Sequence, residues 1–295
     1  MERKSLKKLS VTDFKGLMVP VFTCFLDDDP CTMDLQNIEK YAAFLKKEHI
    51  KGVLVNCISG EGPNLALSER KNQIEKWWQA ATRNDLICMV QIGGAPLPDV
   101  IDMATQAEGL GIHGVVCLPE LFYKPKSVES LVGYCALIAK HCPTRPFFYY
   151  HIPKYTGVNF SMNAFCKDAE KSIPTFFGLQ YGDSDLDSAY RCLKENRIIF
   201  LGSDMLLASA LFLGFEAAML TCLNIRPDLG VDIYNAMQSN NLALAKEKQR
   251  LLNNFLRVEQ HNFGDKTGGW IATMKNWFNV EKRAQFSAGP IRKWY

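Results

Sequence analysis

Short apolar runs alternate with longer amphipathic stretches along most of this chain at a steady spacing. Eight runs have the length of strands: 16–22, 52–56, 86–92, 114–118, 146–150, 175–180, 197–201 and 217–222. Most are continuously apolar, the pattern of a parallel sheet buried on both faces. Between them, apolar positions return at helical intervals and predict helices over 34–48, 68–82, 98–110, 127–140 and 161–171. Several of these open on Ser or Asp at the N-cap position. Ser68 is read as one such cap. Lys71 stands where a capping box would have glutamate, so Glu69 supplies the first-turn negative charge. Three more helical stretches, 228–239, 242–260 and 266–280, follow the eighth run.

Eight strand and helix units in regular alternation predict an α/β fold, a (β/α)8 TIM barrel in preference to a doubly wound open sheet. The count is eight, and 295 residues suit a barrel. The barrel is expected over 1–225, with 226–295 as a small C-terminal helical extension packed on it as one structural unit. No Pro/Gly/Ser-rich linker divides the chain, and no repeat is present beyond the β/α alternation.

Composition narrows the function classes. The chain is 47% hydrophobic and 22% charged, with 34 basic and 31 acidic residues and a net charge of +3. That near-balance, with only a short basic stretch at 3–8, gives no electrostatic case for nucleic acid. The first 13 residues lack the apolar core of a secretory signal, and no apolar run approaches the roughly 18 residues of a membrane span. A soluble, cytoplasmic protein is expected. Ten cysteines are scattered without a C-x-x-C pair, which predicts buried, reduced thiols.

In a barrel of this kind the chemistry sits where strands end and loops begin. The second run closes on Asn56-Cys57-Ile58-Ser59-Gly60-Glu61-Gly62. There a small hydroxyl residue beside glycines lets backbone N–H groups meet a carboxylate; a tight turn with a capping serine is the plainer alternative. The fifth closes on Tyr149-Tyr150-His151-Ile152-Pro153. The Tyr150 phenol is placed to pass a proton to or from a bound carbonyl, unless these aromatics only pack. His151 has no sequence partner and reads as a hydrogen-bonded structural histidine. Gln180 closes the sixth run, Gly202-Ser203-Asp204-Met205 the seventh and Leu220-Thr221-Cys222 the eighth. Asp204 suits either a polyol hydroxyl or an N-cap. No His/Cys/Asp/Glu spacing suggests a metal, and no phosphate-cradling glycine motif suggests a nucleotide cofactor.

Several stretches resemble the N-acetylneuraminate lyase branch of the dihydrodipicolinate synthase superfamily. They are Gly16-Leu17-Met18-Val19, Ser59-Gly60-Glu61-Gly62, Leu67-Ser68-Glu69-Arg70, the run from Tyr149 to Val158, Ile173 to Leu179, and Gly289-Pro290. The Y-Y-H-I-P-x-x-T-G-V pattern is the most specific, and the likeness covers nearly the whole chain. The resemblance implies a (β/α)8 aldolase, usually tetrameric, that splits sialic acid into N-acetylmannosamine and pyruvate without a metal or cofactor. It does so through a Schiff base on a lysine closing the sixth strand, the place held here by Gln180.

An amide nitrogen is delocalised into its carbonyl and cannot attack a ketone or form an iminium. Other departures from the family pattern fall in the same expected pocket. Ile58 stands for a Ser or Thr at the pyruvate carboxylate, Gly182 for a hydroxyl residue, Met205 for an acidic residue at the sugar's glycerol tail, and Leu220 for a glycine. Ser59, the proton-transferring Tyr150, Gly202, Asp204 and Thr221 are kept. The resemblance therefore implies a lyase-like protein without Schiff-base activity, still offering a site for a 2-oxo acid or sugar acid. Two other readings follow. Lys154 is a displaced amine in an active 2-oxo acid lyase, or the chain is a non-catalytic subunit or scaffold paired with an active paralogue. A homotetramer or such a hetero-oligomer is expected, with Phe122 or Tyr123 entering a neighbour's site.

Overall fold

The structure, a computed structural model, describes residues 10–263, 269–281 and 285–292. The basic stretch at 3–8 and residues 266–268 of the last expected helix lie outside them.

Eight strands close a parallel barrel in sequence order: β1 (Gly16–Pro20), β2 (Gly52–Val55), β3 (Ile87–Ile92), β4 (Gly114–Cys117), β5 (Phe147–His151), β6 (Phe176–Tyr181), β7 (Ile198–Leu201) and β8 (Ala217–Met219). Closure runs from Gly16 opposite Ala217 to Met18 opposite Met219. The predicted (β/α)8 barrel is the one observed. Every strand is buried on both faces, which is why its runs read as continuously apolar. Met18, Leu54, Met89, Val116, Phe148 and Phe200 fill the interior. Leu17, Val53, Val90, Val115, Tyr149 and Leu201 pack outward beneath the helices.

The helices are α1 (Ile38–Lys47), α2 (Leu67–Arg83), α3 (Leu97–Leu110), α4 (Val128–Ala139), α5 (Pro153–Thr156), α6 (Met162–Ser172), α7 (Leu186–Tyr190), α8 (Leu207–Phe212), α9 (Pro227–Gln238), α10 (Leu242–Phe263) and α11 (Trp270–Glu281). Ser127 and Ser161 cap α4 and α6 as expected, accepting from Ser130 N and Ala164 N. Helix α2 corrects the Ser68 reading. It begins one residue earlier, after Ala66, and Glu69 reaches back to the Ala66 N–H at 2.9 Å. An alanine has no acceptor to offer, so glutamate supplies this half of the capping box. The short helices α5, α7 and α8 escaped prediction because four to six residues carry too little periodicity.

One irregularity decides what points into the barrel. Phe147 pairs with Phe176 but Phe148 pairs with Gly178, so β6 carries an extra residue. Phe177 faces the interior cluster, and beyond the bulge Gly178, Leu179 and Gln180 pair with Phe148, Tyr149 and Tyr150. Without the extra residue, alternation from Phe177 would turn Gln180 outward. Gly178 sits at φ +148°, and a Cβ there would lie 1.8 Å from the Ile198 carbonyl oxygen. Only glycine fits, and this glycine aims Gln180.

Beyond β8, the chain's end is tied to the β2 loop by a buried ion pair. Lys275 is 1% exposed and donates to Glu61 Oε1 at 3.0 Å, Thr23 O at 2.9 Å and Pro290 O at 2.6 Å. Glu61 accepts from Arg292 N with its other oxygen at 2.8 Å. The Phe25 ring lies under both cations, 4.6 Å from Lys275 Nζ and 4.7 Å from the Arg292 guanidinium. All ten cysteines are free and buried, as the scattered pattern predicts. Among the described residues no helix is long and apolar enough to cross a membrane.

Candidate functional site

Nine of the residues singled out from the strand ends come together around one cavity of about 350 Å³ at the C-terminal mouth of the barrel, whereas Leu220, expected in the same pocket, is buried in the outer core layer and does not line it. The β2 loop contributes Ile58 and Ser59, β5 Tyr150, and β6 Gln180 and Gly182. The β7 loop contributes Gly202, Asp204 and Met205, and the β8 loop Thr221. Leu256 of α10 and Trp270 of α11 close the side that the sequence left open.

The β2 loop is held from three sides. Thr23 Oγ1 donates to Gly60 O at 2.5 Å, and Gln73 Nε2 donates to both Thr23 Oγ1 and Asn56 Oδ1 at 3.0 Å. Glu61 lies in the left-handed region at φ 54°, fixed there by Lys275 and Arg292. The result is a rigid turn presenting Ser59, whose hydroxyl bonds that of Thr221 at 2.8 Å. The Gly60 N–H has no acceptor among the described residues, and the Ser59 N–H meets only the Cys57 sulfur. Ser59 and Thr221 both line the cavity and bring this pair of hydroxyls to it. The capping alternative for Ser59 does not hold, since α2 opens at Leu67.

Tyr150 and Gln180 are paired across β5 and β6 and face the cavity side by side. Burial raises the phenol well above the usual tyrosine range, the neighbouring Cys57 thiol adds to this, and the Gln180 amide opposes it. Tyr150 is therefore a protonated phenol at neutral pH, and it accepts from Cys57 Sγ at 3.8 Å. The thiol is itself pushed up to about 11 by burial, so it is not a thiolate nucleophile. Gln180 is 2% exposed, and its Oε1 is buried without a partner. A Cβ on Gly202 would come within 3.0 Å of Gln180 Nε2 and 2.8 Å of Tyr181 O. Gly202 thus makes room for the amide. Gly182 plays a similar part against Ile152, whose Cδ1 would lie 3.1 Å from an added Cβ.

Two expectations are sharpened by the structure. Asp204 is not the N-cap of α8, and it lines the cavity. It opens a 3-10 turn and its Oδ1 accepts from Cys222 N at 3.2 Å, bracing the β7 loop on the β8 loop. Desolvation raises its carboxyl pKa above the ordinary range. His151 is structural but lacks the expected hydrogen bond at Nδ1. It packs between the rings of Tyr149 and Tyr181, and burial depresses it to about 4, which Asp183 only partly offsets.

Lys154 is exposed at the rim, with Nζ 5.8 Å from the Tyr155 ring centroid. Among the described residues it is the sole amine lining the cavity. No group of three or more His, Cys, Asp or Glu side chains suited to a metal occurs among the described residues. Phe122 and Tyr123 project from the β4–α4 loop, 84% and 82% exposed and stacked edge to face.

The family model described as the dihydrodipicolinate synthetase family matches residues 13–263. The chain belongs to this family. Among curated dihydrodipicolinate synthetase family relatives, N-acetylneuraminate lyase A of Xenopus laevis is 32% identical over 247 residues, covering 82% of this chain and 80% of the relative. Of solved family structures, native N-acetylneuraminate lyase from Aliivibrio salmonicida superposes with a TM-score of 0.85 at 28% identity, over 95% of this chain and 90% of that one. A Ruminococcus gnavus sialic acid aldolase described as a catalytic lysine mutant has a TM-score of 0.86 over 97% of this chain and 90% of that one. At 20% identity it shares the fold alone. The resemblance drawn from the strand-end motifs is thus to the right branch of the family.

Gly178 is the functional residue that sequence reasoning missed. A glycine inside an otherwise apolar strand is a bulge signal, and it was available. Leu256 and Trp270 carried no such signal, because helical periodicity does not say which turn reaches a distant cavity.

Proposed function

We propose that this chain is an N-acetylneuraminate lyase-like protein that binds a 2-oxo acid reversibly and does not form a Schiff base. One observation carries this reading: the side chain at the inward-facing end of β6, beside Tyr150, is the amide of Gln180. Gln180 stands where the family resemblance puts the Schiff-base lysine. The cradle of Ser59, Gly60 and Thr221 suits the acid's carboxylate. Tyr150 O–H and Gln180 N–H are two neutral donors for its keto oxygen. They polarise the carbonyl without an electron sink to cleave a carbon–carbon bond.

Lys154 is poorly placed to replace the lost amine, because it runs along the rim against Tyr155 instead of toward the cavity floor. The exposed Phe122 and Tyr123 favour assembly, as a homotetramer or with an active paralogue. Two adjacent aromatic side chains left bare to water are a typical interface feature. Ten buried free thiols fit a reducing compartment, the cytoplasm.

The test is a pyruvate-release assay with N-acetylneuraminate beside calorimetry with pyruvate. The reading expects binding of pyruvate and no turnover. Release of pyruvate from N-acetylneuraminate that is unchanged in Lys154→Ala would refute it, and release abolished in that variant would transfer the amine's role to Lys154.

A further inference from the structure

We infer that the acid this cavity selects carries an apolar tail in place of a polyhydroxylated one. The inference rests on the reading of the site as a 2-oxo acid cradle.

The cavity divides by chemistry. Its floor holds the hydroxyls of Ser59 and Thr221, the Tyr150 phenol and the Gln180 amide. Toward the mouth, the walls are carbon: Ile58, Ile152, Met205, Leu256, Trp270 and the ring of Tyr155. The polar residues lining the cavity beside them are Ser203, Asp204 and Lys154, of which two are partly committed. Asp204 is engaged by the Cys222 N–H, and the Lys154 ammonium lies over an aromatic ring. A chain of several hydroxyls drawn into this space gives up water and finds few partners, at about 1–3 kcal/mol for each group left unmatched. A branched alkyl or phenyl group meets carbon walls, which is the arrangement of apolar ligand sites.

The walls come from four separate segments: the β2 loop, the stretch after β5, the β7 loop and the pair α10 and α11. Their agreement in character is not the accident of one substitution. At about 350 Å³ the cavity is at the small end of the range for small-molecule sites.

The experiment is calorimetry of the full chain with pyruvate, 4-methyl-2-oxopentanoate, phenylpyruvate and N-acetylneuraminate, repeated on Met205→Glu. The expected result is that at least one apolar-tailed acid binds about tenfold or more tightly than pyruvate, and that N-acetylneuraminate binds more weakly than that acid. Met205→Glu adds a carboxylate that opposes every acid in the cavity, so the quantity read is the ratio of tailed acid to pyruvate within the variant, which should fall to about one. If pyruvate binds and the tails add nothing, or N-acetylneuraminate binds most tightly, the inference is overturned and the cradle stands. Should none of the four acids bind, the cradle reading falls as well.

Discussion

Replacing Lys275 with methionine removes the cation that ties the chain's end to the turn presenting Ser59. The change breaks three hydrogen bonds, to Glu61, Thr23 and Pro290, at 3.0, 2.9 and 2.6 Å. It leaves a carboxylate 6% exposed and two carbonyls without their donor. Removing one partner of a buried ion pair typically costs 3–5 kcal/mol, because the other charge stays desolvated. Glu61 keeps the Arg292 N–H at 2.8 Å, so the lower part of that range, about 3 kcal/mol, is expected here. The double variant Lys275→Met/Glu61→Gln removes the stranded charge and should recover about 2 kcal/mol. Urea unfolding followed by circular dichroism measures both. Pyruvate affinity in the folded single variant should also fall, since Glu61 is two residues from Ser59. A single variant within 1 kcal/mol of the parent, or a double variant no more stable than the single, would refute the claim that this pair braces the site from behind.

Three further outcomes are expected. His151 is held at about 4 by burial, below its unfolded value of about 6.5. The folded state thus binds fewer protons, and stability falls as pH drops from about 6.5 to 4, by about 3 kcal/mol in all. His151→Phe should flatten the melting temperature over that window relative to the parent, and an unchanged acid slope would contradict the assignment. Gly178→Ala forces a side chain onto the Ile198 carbonyl at φ +148° and should cost about 3 kcal/mol or more, read as lost soluble yield and a lower melting temperature. Gln180→Lys places an amine at the cavity floor beside Tyr150, and should form a borohydride-reducible adduct with pyruvate that mass spectrometry detects on residue 180.

The barrel was legible because a parallel sheet covered on both faces writes continuous apolar runs into the sequence, and eight of them at even spacing admit few architectures. The cavity's residues were legible for a related reason. Position at a strand's end is enough to place Ser59, Tyr150, Gln180 and Thr221 on one rim before their distances are known. Orientation was harder. Gln180 points inward only because β6 gains a residue at Gly178, and strand parity counted without that bulge gives the opposite face. Interactions between distant segments left no local trace. The Lys275–Glu61 pair spans 214 positions, and Asp204 meets the Cys222 N–H 18 positions away. In sequence, Asp204 before a helical stretch looks like a cap, and only the approach of the β8 loop makes it a brace.

On the function proposed above, the hydroxyls, the phenol and the glycine spacers serve binding, and the amide of Gln180 stands where the family resemblance puts the lysine of covalent catalysis. The most direct measurement is to incubate the unmodified chain with pyruvate and sodium borohydride beside Gln180→Lys and weigh both intact. The account predicts no reduced pyruvate adduct on the unmodified chain and one adduct per chain on the variant. An adduct on a lysine of the unmodified chain, Lys154 above all, would contradict it.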